Sequence, residues 1–207
     1  RRPAAAGPDR FEAVAAFIAA GRAAGTRRGD RLASALEGAG LLDPAVLATA
    51  PPEEVVDALR DARVEAAPKT VRLLQRLAAW YLAHRDALEA EPGEAAFPRD
   101  ALAEIRGVGR ATADALALHV FGRAAYPVDR ATYRIFVRHG WIDVTVDYDE
   151  AAGLIVDAAR EDPSDLAALS NGLADVGRRF CKPSGPRCEP CPLRVVLPDG
   201  GPIEIDG

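Results

Sequence analysis

The sequence is short of cysteine, lysine and long apolar runs, and each shortage removes a class of protein. No apolar stretch in the 207 residues approaches the length of a bilayer-crossing helix. The N-terminal Arg1-Arg2-Pro3-Ala4 has no apolar signal core behind it. No membrane contact is expected, and a cytoplasmic monomer is the default. Three cysteines are too few, and odd in number, for a disulfide framework. Their crowding, as Cys181, Cys188 and Cys191, points instead to a metal or cluster site. Only two lysines occur, Lys69 and Lys182. The net charge is -5, so the basic excess that usually marks a nucleic-acid binder is missing from the sum. Alternating strand patterns are missing too: only Trp141 to Val146 could be extended, and it reads rather as a loop.

What remains is helical. Apolar residues make up 49% and charged residues 28%, ordinary for a globular protein with a sizeable core. Ala, Leu, Arg and Glu, all good helix formers, dominate the interiors. Phe11, Val14, Ala15, Phe17 and Ile18 recur at helical spacing. Asp43-Pro44 and Asp162-Pro163 each place an N-cap before a proline at the first helical position. Pro68 opens a long helix with Val71, Leu74, Leu77 and Tyr81 on its apolar face, and Asp147 with Glu150 resembles a capping box. Charge is uneven along the chain. Arg106, Arg110, Arg123, Arg130, Arg134 and Arg138 fall in one stretch, and Arg178, Arg179, Lys182, Arg187 and Arg194 in another. Acid gathers from Asp143 to Asp165. Such a division suits either two solvated faces or a basic binding surface.

The most informative segment runs from Leu102 to Asp114. A helix is expected to end at Ile105, a tight turn Gly107-Val108-Gly109 to follow, and a second helix to begin near Arg110. Glycines permit positive φ and let a phosphate approach the backbone, while the next helix offers free N–H groups and its positive dipole end. This is a helix-hairpin-helix element, over about residues 101–121, of the kind that grips DNA through the backbone without reading sequence. A plain helix–helix connection would use the same glycines. Twenty residues beyond Gly109, Asp129 stands in Pro127-Val128-Asp129-Arg130-Ala131-Thr132-Tyr133. It suits the N-cap of a helix starting at Arg130. It also suits a fixed carboxylate beside developing positive charge.

Ile105 to Arg138 resembles the hairpin and catalytic-aspartate region of the endonuclease III superfamily, and the likeness extends outward from Phe11 to Leu197. Gly40-Leu41-Leu42-Asp43-Pro44 and the run Cys181…Cys191-Pro192-Leu193-Arg194 look closest to the branch that includes 3-methyladenine glycosylase III. The resemblance implies an all-α, two-lobed fold, with a helical barrel lobe over 4–122 and a second lobe over 123–207 carrying a cysteine loop at 181–197. It implies double-stranded DNA with a damaged or modified base as partner. Asp129 would be the catalytic group. Gly107, Val108, Gly109, Arg110, Thr112, Lys182 and Arg187 would meet DNA, and Arg22 would be the wedge that fills the vacated stack. Phe17, Tyr133 and Trp80 are the candidate base pocket. For the aromatic residues, Tyr126 included, a place in the core is the competing reading. Adenine-excising relatives carry a carboxylate where this sequence has Phe17. A cationic alkylated base would need no such acid and would be held by aromatic rings.

Two departures from the family matter. The nucleophilic lysine of bifunctional members, two residues after the second hairpin glycine, is Ala111 here. Alanine cannot attack the sugar, so a monofunctional glycosylase is expected. The family's [4Fe–4S] loop has four cysteines, and the fourth position is Leu197. The resemblance still implies a cluster on Cys181, Cys188 and Cys191, with a non-cysteine fourth ligand, three irons, zinc or no metal as the outcomes left open, and Asp199 as a nearby oxygen. A non-catalytic damaged-DNA-binding protein and a mismatch thymine or uracil glycosylase are the alternative functions.

Overall fold

The computed structural model describes residues 8–21, 27–90 and 94–204. The wedge candidate Arg22 lies outside them. The described residues form eleven α-helices and one short 3-10 turn, so the all-α expectation holds. The chain folds as two compact units, Arg1–Arg123 and Ala124–Gly207.

The first unit holds α1 (Pro8–Ala19), α2 (Arg27–Gly38), α3 (Pro44–Thr49), α4 (Pro52–Asp61), α5 (Pro68–Ala83), α6 (Arg85–Glu89), α7 (Arg99–Ala103) and α8 (Arg110–His119). Its helices start where the sequence places caps. Asp43 Oδ1 accepts from the Ala45 and Val46 amides at 2.7 and 3.4 Å, and Pro44 takes the first helical position. Pro68 opens α5, whose Val71, Leu74, Leu77 and Tyr81 are buried. Each fully buried Leu of this kind adds about 1.5–3 kcal/mol of apolar transfer. Phe11, Val14, Ala15 and Phe17 of α1 join the same core, and Phe11 packs edge-on against Tyr81. Where α1 and α2 cross, the chain needs Gly29: a Cβ there would stand 2.4 Å from the Ala16 carbonyl oxygen.

The second unit holds α9 (Arg130–Arg138), α10 (Tyr148–Ala158), α11 (Pro163–Arg179) and the 3-10 turn Arg194–Val196. Asp147 caps α10 by accepting from the Glu150 amide at 2.9 Å. Asp162 caps α11 through the Ser164 and Asp165 amides, with Pro163 at its first position. Between α9 and α10, Trp141 to Val146 forms turns and bends rather than a strand, with the Thr145 amide and hydroxyl bonded to Asp143 Oδ1. Helices α9 and α11 pack closely, and a Cβ on Gly177 would fall 2.6 Å from the Ala131 Cβ.

That crossing makes two glycines of one helix respond oppositely to alanine. Gly177→Ala is expected to destabilise the fold by about 1–3 kcal/mol through overpacking. Gly172→Ala, whose Cβ would meet nothing within 4 Å, is expected to stabilise it by roughly 0.5–1 kcal/mol through reduced backbone entropy. Urea denaturation of both variants checks the sign of each.

Candidate functional site

The hairpin is built within the first unit. Helix α7 stops at Ala103, two residues before the expected Ile105. The chain then tightens through bonds from the Ile105 amide to the Leu102 oxygen (3.2 Å) and from the Val108 amide to the Ile105 oxygen (2.9 Å). Gly107 has φ 103° and Gly109 has φ 71° with ψ 166°, a combination that side-chain-bearing residues scarcely adopt. Gly109 is the N-cap of α8 and supplies no side-chain cap, and open space lies where its Cβ would be. The leading amides of such a helix end have no i−4 acceptor and favour an anion. The turn is fastened from two sides. Arg76 donates to the Arg106 carbonyl at 3.0 Å. Arg99 clasps Asp114 of α8 with two bonds, at 2.6 and 2.9 Å, the carboxylate being 2% exposed.

Two of the expected DNA contacts turn inward. Val108 and Thr112 are buried, at 8% and 6% exposure. The Val108 amide is spent on Ile105 and that of Thr112 on the Gly109 oxygen. Both residues hold the turn from inside, because a tight turn must anchor its middle residue and the first inward position of its helix to the core. Gly107, Gly109 and Arg110 are exposed.

Asp129 lies in the second unit, at the N-cap of α9. Its Oδ1 accepts from the Thr132 amide at 2.8 Å, and the residue is exposed. The carboxylate is therefore positioned by its helix without being sealed in a dry core. Near it the phenol of Tyr126 is buried close to the Thr132 side chain, with no hydrogen-bond partner of good geometry among the described residues. Burial first, and then the Asp129 charge, push that phenol well above the ordinary tyrosine value, so it stays protonated.

The pocket aromatics separate. Phe17 is 3% exposed and stacks on His119 with ring centroids 5.9 Å apart. Trp80 is 6% exposed and packs edge-on against Phe97 and Phe121. Both are core residues of the first unit, the competing reading of the sequence. Tyr133 is half-buried, and its hydroxyl donates to the Val144 carbonyl.

The three cysteines follow α11 and are free thiols, Cys181 buried and Cys188 and Cys191 half-buried. They line one small cavity of the second unit, of about 20 Å³, together with Leu197, Phe180, Pro202, Arg138 and His139. The exposed wall is apolar. Burial raises the Cys188 thiol above its ordinary value, and the nearby Cys191 and Cys181 raise it further. Among the described residues no three His, Cys, Asp or Glu side chains are arranged to hold a single ion. Asp199 is exposed and is not among the lining residues.

Two arginines of the first basic stretch, Arg134 and Arg138, turn inward to the cysteine loop and leave the expected solvated or DNA-facing stripe, while Arg106, Arg110 and Arg130 are exposed. Arg138 is 8% exposed and donates to Cys181 Sγ (3.4 Å), the Lys182 oxygen (2.6 Å) and the Pro183 oxygen (2.8 Å). Arg134 donates to the Cys181 oxygen at 3.0 and 2.7 Å. Lys182 and Arg187 are exposed, and the Lys182 ammonium donates to the Arg178 carbonyl. Neither His139 nor the inward turn of Arg138 had a signal in the sequence, since both precede Cys181 by some forty residues. Only packing brings them to the cysteines.

An all-α chain with a glycine hairpin between two helices, and an aspartate capping the next helix, defines a helix-hairpin-helix protein. No family model matches it. It is 30% identical over 156 residues to endonuclease III of Thermotoga maritima, an alignment covering 73% of this chain and 66% of that protein. It is 33% identical over 116 residues to endonuclease III of Bacillus subtilis, covering 55% and 51%. The chain thus spans between half and two thirds of these relatives' lengths. Among solved structures, a non-covalent endonuclease III–DNA complex matches 91% of this chain and 82% of its own, with a TM-score of 0.58 and 22% identity. A thermostable thymine-DNA glycosylase matches 92% and 83%, with a TM-score of 0.61 and 17% identity. The chain belongs to the endonuclease III-like helix-hairpin-helix DNA glycosylase superfamily.

The Phe17–His119 stack carries a pH signature. Burial lowers the pKa of His119 from the ordinary 6.5. Above that value both folded and unfolded chains hold the ring neutral. As pH falls below it, the unfolded chain binds a proton that the fold resists, so stability is lost until the lowered pKa is passed. The melting temperature is expected to fall from pH 7 toward pH 5.5, and less steeply in His119→Gln. Equal slopes for parent and variant would contradict this.

Proposed function

We propose that this protein is a monofunctional DNA glycosylase. It would hydrolyse the N-glycosidic bond of a flipped-out damaged base in double-stranded DNA, as part of base excision repair. The preferred base would be alkylated, within the branch of 3-methyladenine glycosylase III. Kinship with the endonuclease III proteins supports the reaction class. The observation that carries it is the exposed Asp129 carboxylate, fixed at one oxygen by the Thr132 amide.

Bond cleavage leaves the base with the electron pair and builds positive charge on the sugar. Asp129 would stabilise that charge and take the proton of the water that attacks the sugar carbon. The amides after Gly109 would grip a phosphate, with Arg110, Lys182 and Arg187 adding charge. Lys182 would first leave the Arg178 carbonyl. Arg22 remains the proposed wedge. With Phe17 and Trp80 in the core, Tyr133 is the proposed stacking residue. An alkylated base already bears positive charge and needs no general acid. With Ala111 in the lysine position, water is the nucleophile and the product is an abasic site.

The cysteine site is assigned to an iron–sulfur cluster. Three thiols lining one cavity with an apolar exposed wall, and a buried arginine cation against one sulfur, suit an anionic thiolate cluster. When bound, the cluster would cross-link residues 181–191 by metal–thiolate bonds. Its role would be structural.

Asp129→Asn separates capping from chemistry, because Asn caps a helix as well as Asp. The variant is expected to keep its melting temperature and DNA affinity while base release falls by about 10²–10⁴-fold. Single-turnover assays on duplexes with a panel of lesions, followed by alkaline cleavage of abasic sites, check this. Undiminished release by the variant would sink the assignment. Tight binding without release from any lesion would favour the non-catalytic reading, and release only from mismatched thymine or uracil would move the substrate. Borohydride should trap no covalent adduct on abasic DNA.

A further inference from the structure

Leu197 stands where the superfamily pattern has its fourth cysteine, and it lines the same cavity as Cys181, Cys188 and Cys191. Its side chain carries no donor atom. A second residue on that wall does. His139 ends α9, directly after Arg138, whose guanidinium touches Cys181 Sγ. His139 is 8% exposed. Its Nδ1 lies 2.7 Å from the Ile135 carbonyl oxygen. A carbonyl can only accept, so Nδ1 carries the proton, and in the neutral ring the lone pair sits on Nε2. That atom is buried and has no hydrogen-bond partner among the described residues. A buried unpartnered acceptor calls for an explanation. Metal-ligating histidines commonly hold their second nitrogen in such a bond, which fixes the tautomer and aims the ring.

We propose that His139 Nε2 is the fourth ligand of the cluster held by Cys181, Cys188 and Cys191, in place of the donor that Leu197 lacks. This rests on the cluster reading above. Imidazole serves beside thiolate on iron–sulfur centres, so the donor set is chemically sound. Each thiol gives up its proton on ligation, whereas Nε2 has none to lose. Exchanging a thiolate for a neutral imidazole removes one negative charge from the site and raises the reduction potential. A histidine ligand would thus leave the cluster harder to oxidise than one held by four cysteines.

The test uses the full chain, purified without oxygen or reconstituted with ⁵⁷Fe and sulfide. Iron and sulfide analysis is expected to give about four of each per chain. Mössbauer spectra are expected to show one iron distinct from the other three. His139→Cys should keep the iron and sulfide, make the four irons alike and lower the potential. His139→Ala should lose one iron or the whole cluster, with circular dichroism reporting whether it folds. The cysteine variant decides the matter if the alanine variant does not fold. A full cluster whose spectrum and potential are unchanged in His139→Cys would overturn the ligand assignment alone. Parent protein that takes up no iron and sulfide, or only zinc, would overturn the cluster reading and the ligand with it.

Discussion

Arg138 is a buried cation at the end of a nine-residue helix, and its guanidinium is spent on the cysteine loop: one sulfur and two backbone oxygens. Arg134, one turn earlier on α9, adds two bonds to the Cys181 carbonyl. A buried guanidinium without these acceptors would be costly, so loop and helix hold each other in register. The other end of α9 begins at Asp129. At 1.5 Å per residue the helix is about 13 Å long. The proposed catalytic carboxylate and the proposed cluster thus sit at the two ends of one rigid rod. A cluster with no part in the chemistry would still matter to it, because whatever tightens the loop steadies the helix that carries Asp129.

The hairpin obeys a different constraint. Its turn needs two positive-φ glycines, and a glycine turn is entropically loose unless its flanks are tied. The Arg99–Asp114 clasp and the Arg76 bond to Arg106 do the tying. Buried ion pairs are weak evidence for net stability. Here the pair joins the two helices on either side of the turn, and its plainest consequence is a defined orientation of α8. Val108 and Thr112 serve the same end from within. Residues that a motif marks for contact thus divide into those left exposed and those that hold the motif's shape.

Much of the architecture was legible in residue order. The Asp-Pro pairs at Asp43 and Asp162 start helices, and so does Pro68, because caps and proline act over a few residues and need no distant partner. The apolar faces of α1 and α5 are buried as their periodicity indicated. The hairpin glycines adopt the positive φ that their spacing required. The end of α7 came two residues early, since the tight turn takes Ile105 for its own hydrogen bonding.

The sequence by itself determined the helices, the turn and which residue types were available for chemistry, because these depend on local backbone preference and on spacing along the chain. It could not say which way Arg134 and Arg138 point, that Phe17 and Trp80 belong to a core, or that His139 shares a wall with three cysteines. Those facts depend on contacts between residues far apart in the chain. Only the packing of α9 and α11 in the second unit, and of α1, α5 and α8 in the first, decides them.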